Sequence, residues 1–414
     1  MINFQIPLDI PDVEILRVEQ NQSEAFIITV KSTKKSCKCH KCGNEATKYY
    51  GNAETILLRH LPILDHEVYI KIVPVRYQCE YCDDKITTTE QASWYTRRSK
   101  FTKAYEKYLM KMLINSTLQD VARKENVTPD DMEGVLNRQI ERNVNWNEFD
   151  KITILGLDEI ALKKGHKNYV VIVSARTKGQ IKILSILSDR LKETVKTFIN
   201  SIPDHLRATI KIVCCDMYDG YVNAVKEMFE NKVKVIIDRF HVAKNYRKCI
   251  DTVRKKELKR LQKELTEEEY KKLKGAMWAL RKKEENLTED EKEVLAILFK
   301  YSPVLKESYE FQNELTEIFN KNINKQQASK LIKNWVVKVN KSELSCFDKF
   351  ISTLNKYWND ILNYFHRKQR KNSGFIEGLN NKIKVIKRRC YGIFKIENLF
   401  QRIFLDLEGY AMYA

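Results

Sequence analysis

The sequence predicts an α/β protein: a mixed sheet carrying helices, interrupted by a long all-α stretch and preceded by a small β-rich module and a short helical one. Three observations carry this expectation. Between residues 152 and 237, apolar runs of strand length alternate with helical pattern. Five of the ten cysteines crowd into the first fifth of the chain. From about residue 241 to 370 the spacing is almost entirely helical, and only 12 Gly and 7 Pro occur in all 414 residues to interrupt it.

With 43% apolar residues the chain can build two to four domains with proper cores. Lys and Arg number 74 against 55 Asp and Glu, and a formal charge of +19 repels itself unless a polyanion is near. Nucleic acid is the expected partner. No apolar run reaches the 18 residues that span a bilayer, and MINFQIPLDIPDVEIL lacks a basic segment followed by an apolar core. A cytoplasmic protein without membrane contact is expected.

Residues 1–96 alternate apolar and polar side chains in short runs, as in Glu67–Val73, and read as β-rich. Ten unevenly spread cysteines do not make a disulfide scaffold. Cys39-x-x-Cys42 and Cys79-x-x-Cys82 form two tight thiol turns, which together make a tetrahedral structural zinc site. Their separation of 37 positions implies a ribbon with strands inserted between the knuckles. Cys37 or His40 could replace one ligand, and the competing reading is a set of reduced thiols without metal.

Residues 97–148 read as three short helices, with Tyr105, Leu109, Met112 and Leu113 on one face, then Leu118, Val121 and Ala122, then Val135 and Leu136. The last two have the layout of a helix-turn-helix, with Ala122 at a close crossing, Val127 in the turn and Thr128 before Pro129 as N-cap. An ordinary helical hairpin is the rival. Asp130, Asp131 and Glu133 make the second helix a poor neighbour for phosphates.

Residues 149–241 carry the strand runs Ile152–Leu157, Tyr169–Val173, Ile181–Leu187, Ile210–Cys215 and Val233–Ile237, with helices near 190–202 and 219–230. Three strands in succession suggest antiparallel neighbours and the later alternation needs parallel crossovers. Asp158 and Asp216 end two of the runs and could meet if those strands are neighbours; either alone could equally be a helix cap or turn former. Residues 242–370 read as charged helices, including Val253–Leu265 and the segment around Trp335–Trp358. The stretch Lys255–Leu273 fits exposed helices laced by i,i+4 charge pairs. In residues 371–414, a helix through Glu377, Asn381, Lys384 and Arg388 at steps of 4, 3 and 4 places a carboxylate at the head of a basic stripe. A surface helix with a dipole-favourable Glu reads equally well.

At these residues the chain resembles the DDE transposases of bacterial insertion sequences, specifically the ISL-three family. The resemblance runs over nearly the whole chain, through Arg59–Pro62, Arg76-Tyr77-Gln78-Cys79-x-x-Cys82 and Thr88-Thr89-Glu90, then Gly156-Leu157-Asp158-Glu159, Lys164-Gly165-His166 and Cys215-Asp216-Met217-x-x-Gly220-Tyr221. It continues in Asp238-Arg239-Phe240-His241-Val242 and in Ser373-Gly374-x-x-Glu377-Gly378-Leu379-Asn380-Asn381-Lys382-Ile383-Lys384. Two departures are the extra Cys37 and His40, and the lack of an acidic residue in Ser174–Arg176.

The resemblance implies an RNase H-like catalytic core over 149–241 and 371–414, a catalytic triad of Asp158, Asp216 and Glu377, and a helical insertion over 242–370. Three carboxylates suit magnesium or manganese, and two such ions about 4 Å apart stabilise the attacking and leaving oxygens of an in-line phosphoryl displacement. Asp238 and His241 follow a strand and are auxiliary candidates, the first as a further carboxylate, the second as a supporting or DNA-contacting group. Lys382, Lys384, Lys387, Arg388 and Arg389 are the expected phosphate contacts. The expected activity is binding of element terminal repeats with cleavage and transfer of double-stranded DNA, by a homodimer or higher oligomer. The rivals are a DNA-binding regulator with an inactive core and an RNase H-like nuclease that cuts without joining.

Overall fold

The computed structural model describes residues 8, 10–162, 169–282, 284–366, 370–390 and 395–413, with the backbone alone at 284 and 370–377. It divides into two compact units: residues 1–142 with 404–414, and residues 143–403.

The first unit opens on a four-stranded sheet in the order Val13–Gln20, Phe26–Ser32, His66–Ile72 and Ile56–Ile63. Only the middle pair is parallel. Alternation in His66–Ile72 turns Val68, Ile70 and Ile72 onto a core shared with Leu58, Ile28 and Trp94. A two-stranded ladder, Cys37–Lys38 with Glu45–Ala46, and a three-stranded one, Lys48–Asn52, Val75–Gln78 and Thr87–Thr89, carry the cysteines.

Three helices follow, Lys103–Leu113, Leu118–Lys124 and Pro129–Gln139, each with a threonine N-cap. Thr128 accepts from Asp131 N in a full capping box, so Asp131 serves the helix start by satisfying its amides. Tyr105, Leu109, Leu113, Val121, Ala122, Val135 and Leu136 form one buried cluster, and Met112 and Leu118, expected on the same faces, pack against it only partly buried. Residues 404–414 group with residues 1–142. Leu405 joins that cluster, and the Asp406 carboxylate accepts from Asn115 N at 3.0 Å.

The second unit contains a five-stranded mixed sheet in the order Gln180–Leu187, Tyr169–Thr177, Ile154–Ala161, Ile212–Cys215 and Lys234–Ile237. The first three strands are antiparallel neighbours and the last two run parallel to Ile154–Ala161. Helices Lys192–Ser201 and Asp219–Met228 make the crossovers and pack on each other. The first strand was expected to stop at Leu157. It continues to Ala161, because pairing with Tyr169–Thr177 holds it through Asp158↔Ile172 and on to Ala161↔Tyr169.

Helix Arg239–Glu264 then leads into a helical body that includes Glu289–Tyr301, Pro303–Asn320, Lys325–Lys341 and Asp348–Lys356. Trp335, Phe319, Phe347, Phe365 and Tyr246 fill its interior. Helix Arg370–Arg389 returns to the sheet and packs along the Ile154–Ala161 strand.

Candidate metal centres

Register builds the first centre. Leu157 pairs with Cys215 and Cys215 with Ile237, both in parallel ladders. The next residues, Asp158, Asp216 and Asp238, therefore stand side by side, Asp158 within its strand and Asp216 and Asp238 just past the carboxyl ends of theirs, where neighbouring strands are only about 4.8 Å apart. All three are buried.

Their partners differ. Asp238 spends its Oδ1 on Phe240 N at 3.0 Å and so caps helix Arg239–Glu264. That cap sets the first turn, and His241 in it brings Nε2 to 2.9 Å from Asp216 Oδ1. Ligand atoms of Asp158, Asp216 and His241 all lie within 4.8 Å of one another. Burial and the neighbouring Asp216 charge push Asp158 up to about 7, against the pull of His241, Asn380 and Glu159 N. Burial draws His241 down, yet the hydrogen bond and charge of Asp216, with Asp158 and Asp238 behind it, leave it above its usual value. The Asp158 and Asp216 carboxylates repel each other, and a dication bound between them and His241 would relieve that repulsion.

Helix Arg370–Arg389 completes the wall. Leu379, Ile383 and Ile386 are its buried stripe. From the adjoining face Asn380 Nδ2 donates to Asp158 Oδ2, and two turns later Lys387 Nζ donates to the Ala161 carbonyl. Glu377 sits three residues before Asn380 on the same helix; its side chain lies outside the described residues. Lys382, Lys384 and Arg388 are exposed, whereas Lys387 and Arg389 are half-buried. Lys164, Gly165 and His166 also lie outside the described residues.

Other motif residues support the site from behind. Glu159 accepts from Tyr221 Oη at 3.0 Å and faces Arg190 at 3.4 Å. The Arg190 guanidinium stacks on Tyr218 at 4.9 Å. Asn380 and Tyr221 stood in recognisable motifs without an assigned role. Arg190 carried no sequence signal at all, because its part depends on where a loop returns.

In the first unit, Cys39 and Cys82 sulfurs are 3.9 Å apart and those of Cys42 and Cys79 are 3.6 Å apart. The four thiols form one group within 4.8 Å. Backbone N–H groups of Cys42 and Lys41 lower Cys39 to about 6, while burial and the adjacent thiols push Cys82 up to about 12. A tetrahedral dication is what allows four such sulfurs to ionise together. Cys37 Sγ instead donates to the Thr88 carbonyl at 3.6 Å, and His40 Nδ1 lies 2.9 Å from the Thr88 hydroxyl. Neither joins the group. Glu90 is a scaffold residue, accepting from Val75 N at 2.8 Å and Ser32 Oγ at 2.7 Å.

Among the described residues no helix is long and apolar enough to cross a membrane. Compared with known proteins, the chain is 26% identical over 402 residues to the transposase for insertion sequence element IS1001 of Bordetella parapertussis, covering 96% of each chain. It is 20% identical over 395 residues to the transposase for insertion sequence element IS1557 of Mycobacterium tuberculosis, covering 90% of this chain and 86% of the relative. The model of the ISL3 family, described as a transposase, matches residues 155–403, which holds Asp158, Asp216, His241 and Asn380 alike. The chain therefore belongs to the ISL3 family of transposases.

Proposed function

We propose that this chain is an insertion-sequence transposase that binds the terminal inverted repeats of its element and cuts and rejoins DNA at an RNase H-like core. The observation that carries the reading is the in-register placement of Asp158 and Asp216 immediately after the paired residues Leu157 and Cys215 of adjacent parallel strands, with the Glu377 helix tied across Asp158 by Asn380. The mixed five-stranded sheet with two crossover helices supports the fold assignment.

In this reading Asp158, Asp216 and Glu377 hold two magnesium or manganese ions, their hard carboxylate oxygens matching those cations. When bound, such ions stabilise the charge that develops on the attacking and leaving oxygens of phosphoryl transfer. The protein's own groups do the rest. Asn380 and Glu159 N orient the Asp158 carboxylate; His241 fixes Asp216; Asp238 places His241 by capping its helix. Cys39, Cys42, Cys79 and Cys82 hold one structural zinc, four soft thiolates being the donor set that ion prefers. Residues 1–96 and 97–148 recognise the element ends, and residues 242–370 are the helical insertion. Lys382, Lys384 and Arg388 reach phosphates beside the site. The protein works in the cytoplasm as a dimer or larger assembly on DNA.

The test is purified protein on labelled element ends with magnesium, following nicking and joining separately. Both products are expected. Nicking without joining assigns a nuclease, and specific binding with neither product assigns a regulator; each overturns the transposase reading.

A further inference from the structure

Helix Arg239–Glu264 starts at the catalytic corner and runs 26 residues away from it. Its two halves are charged differently. The second half neutralises itself, with Arg260 paired to Glu257 at 2.8 Å and to Glu264 on its other side. From Arg239 to Arg254 the helix carries five Lys or Arg residues and a single acid, Asp251. Asp238 caps the helix and no acidic residue follows in its first turn; Lys244, Arg247 and Lys248 lie in the turns just beyond.

At 100° per residue, Phe240, Lys244, Arg247, Lys248, Asp251 and Arg254 share one face, with buried Ile250 at its edge and buried Val242, Tyr246 and Val253 on the opposite side. That face forms one side of a groove of about 520 Å³, closed on the other side by Leu280, Arg281 and Gln312. Asp251 is the one acid lining it among the described residues, and it is matched by Arg281 at 2.8 Å and Arg254 at 3.3 Å. Lys244, Arg247 and Lys248 are exposed, and none of them has a carboxylate partner among the described residues. The groove begins next to His241, whose imidazole touches Asp216. From Phe240 to Arg254 it extends about 21 Å at 1.5 Å per residue. That is the axial length of about six base pairs of duplex DNA.

We infer that this groove is a docking track for the phosphate backbone of duplex DNA, holding through Lys244, Arg247 and Lys248 the segment that leads away from the bond at Asp158 and Asp216. The identity of the polyanion rests on the transposase reading above; the groove's charge and continuity with the carboxylate corner do not. The contacts are sequence-independent, because flexible cations on one helix face meet phosphates rather than base edges.

The test measures binding of a non-element duplex by fluorescence anisotropy between 50 and 200 mM salt without divalent metal. Replacing Lys244, Arg247 and Lys248 together with Ala is expected to flatten the log-log salt slope by about 2.7, at about 0.9 per lost phosphate contact. Over that salt range the wild type then loses about 40-fold more affinity than the variant. Lys244→Arg, Arg247→Lys and Lys248→Arg combined should restore the slope. Should the triple Ala variant lose its far-UV circular dichroism, Lys244→Glu alone must still flatten the slope by about 0.9 or more. A folded triple Ala variant with the wild-type slope overturns the inference, even where the wild type nicks and joins element ends. A flattened slope supports it, even where the wild type does neither and the catalytic reading fails.

Discussion

Asn380 and Asp158 stand 222 residues apart in the chain and are joined by a hydrogen bond from the side-chain amide to the carboxylate. This bond fixes the helix bearing Glu377 against the strand bearing Asp158. Asn380→Ala removes a charge-assisted bond in a buried place, and about 1 to 3 kcal/mol of stability should go with it. Manganese affinity, read by calorimetry, should fall as well. Asn380→Leu refilling the volume yet leaving metal affinity low would assign a positioning role rather than simple packing; wild-type metal affinity in Asn380→Ala would discard that role.

Glu377→Gln, Asp158→Asn and Asp216→Asn are each expected to keep DNA affinity while lowering nicking and joining by about 10²-fold or more, an amide being a poor ligand for a hard dication. Double variants should be scarcely worse than singles, since ligands of one centre act as a unit. A folded Glu377→Gln protein that nicks at the wild-type rate would remove Glu377 from the triad and leave Asp238 as the next candidate.

Metal-free stability should depend on pH through the same corner. Asp158, raised to about 7 by burial and Asp216, keeps its proton in the folded state while an unfolded Asp loses it near 3.8. Between those values the native state binds more protons, so stability falls as pH rises from about 4 to 7. His241, held above its usual value chiefly by Asp216 against burial, acts in the same direction: its contribution is full below the unfolded histidine pKa and is lost as pH climbs through the folded one. Melting curves from pH 4 to 8 should show a difference between wild type and Asp158→Asn that widens in favour of the variant as pH rises. Magnesium should narrow it. A pH-independent difference would contradict the assigned cause.

Cys39→Ser and Cys82→Ser should each lose the single zinc and unfold much of the first module, structural zinc contributing roughly 10 kcal/mol or more of apparent binding energy. Cys37→Ser and His40→Ala should keep one zinc per chain, because both groups are engaged by Thr88. Metal analysis of freshly purified protein decides; a zinc-free wild type would end the assignment.

Gly220 has a purely steric role. A Cβ there would lie 2.4 Å from Tyr218 Cε1 and 3.2 Å from the Arg190 carbonyl. Tyr218 is the ring under Arg190, which in turn faces Glu159. Gly220→Ala should therefore cost about 1 to 3 kcal/mol, as overpacking usually does, and should misplace Arg190. Unchanged melting and unchanged activity would show that Tyr218 yields freely.

The sequence by itself determined the elements and the kinds of chemistry. Continuous apolar runs of strand length specified the five core strands, because a strand covered on both faces buries successive residues; Thr128 before Pro129 placed one helix start; paired Cys-x-x-Cys turns and aspartates after apolar runs named the ligand types. Tertiary structure alone decided which groups meet. The adjacency of Asp158 and Asp216 is a property of the parallel register Leu157↔Cys215, set by hydrogen bonds between strands 58 positions apart, which no local pattern encodes. The continuation of the first strand past Asp158, the diversion of Asp238 into a helix cap, the removal of Cys37 and His40 from the thiol group, and the commitment of Lys387 to the Ala161 carbonyl follow from the same cause. Each polar group takes the partner that folding brings within about 3 Å, and that distance is decided by packing across the chain, while the residue's type and periodicity decide only what it is able to bind.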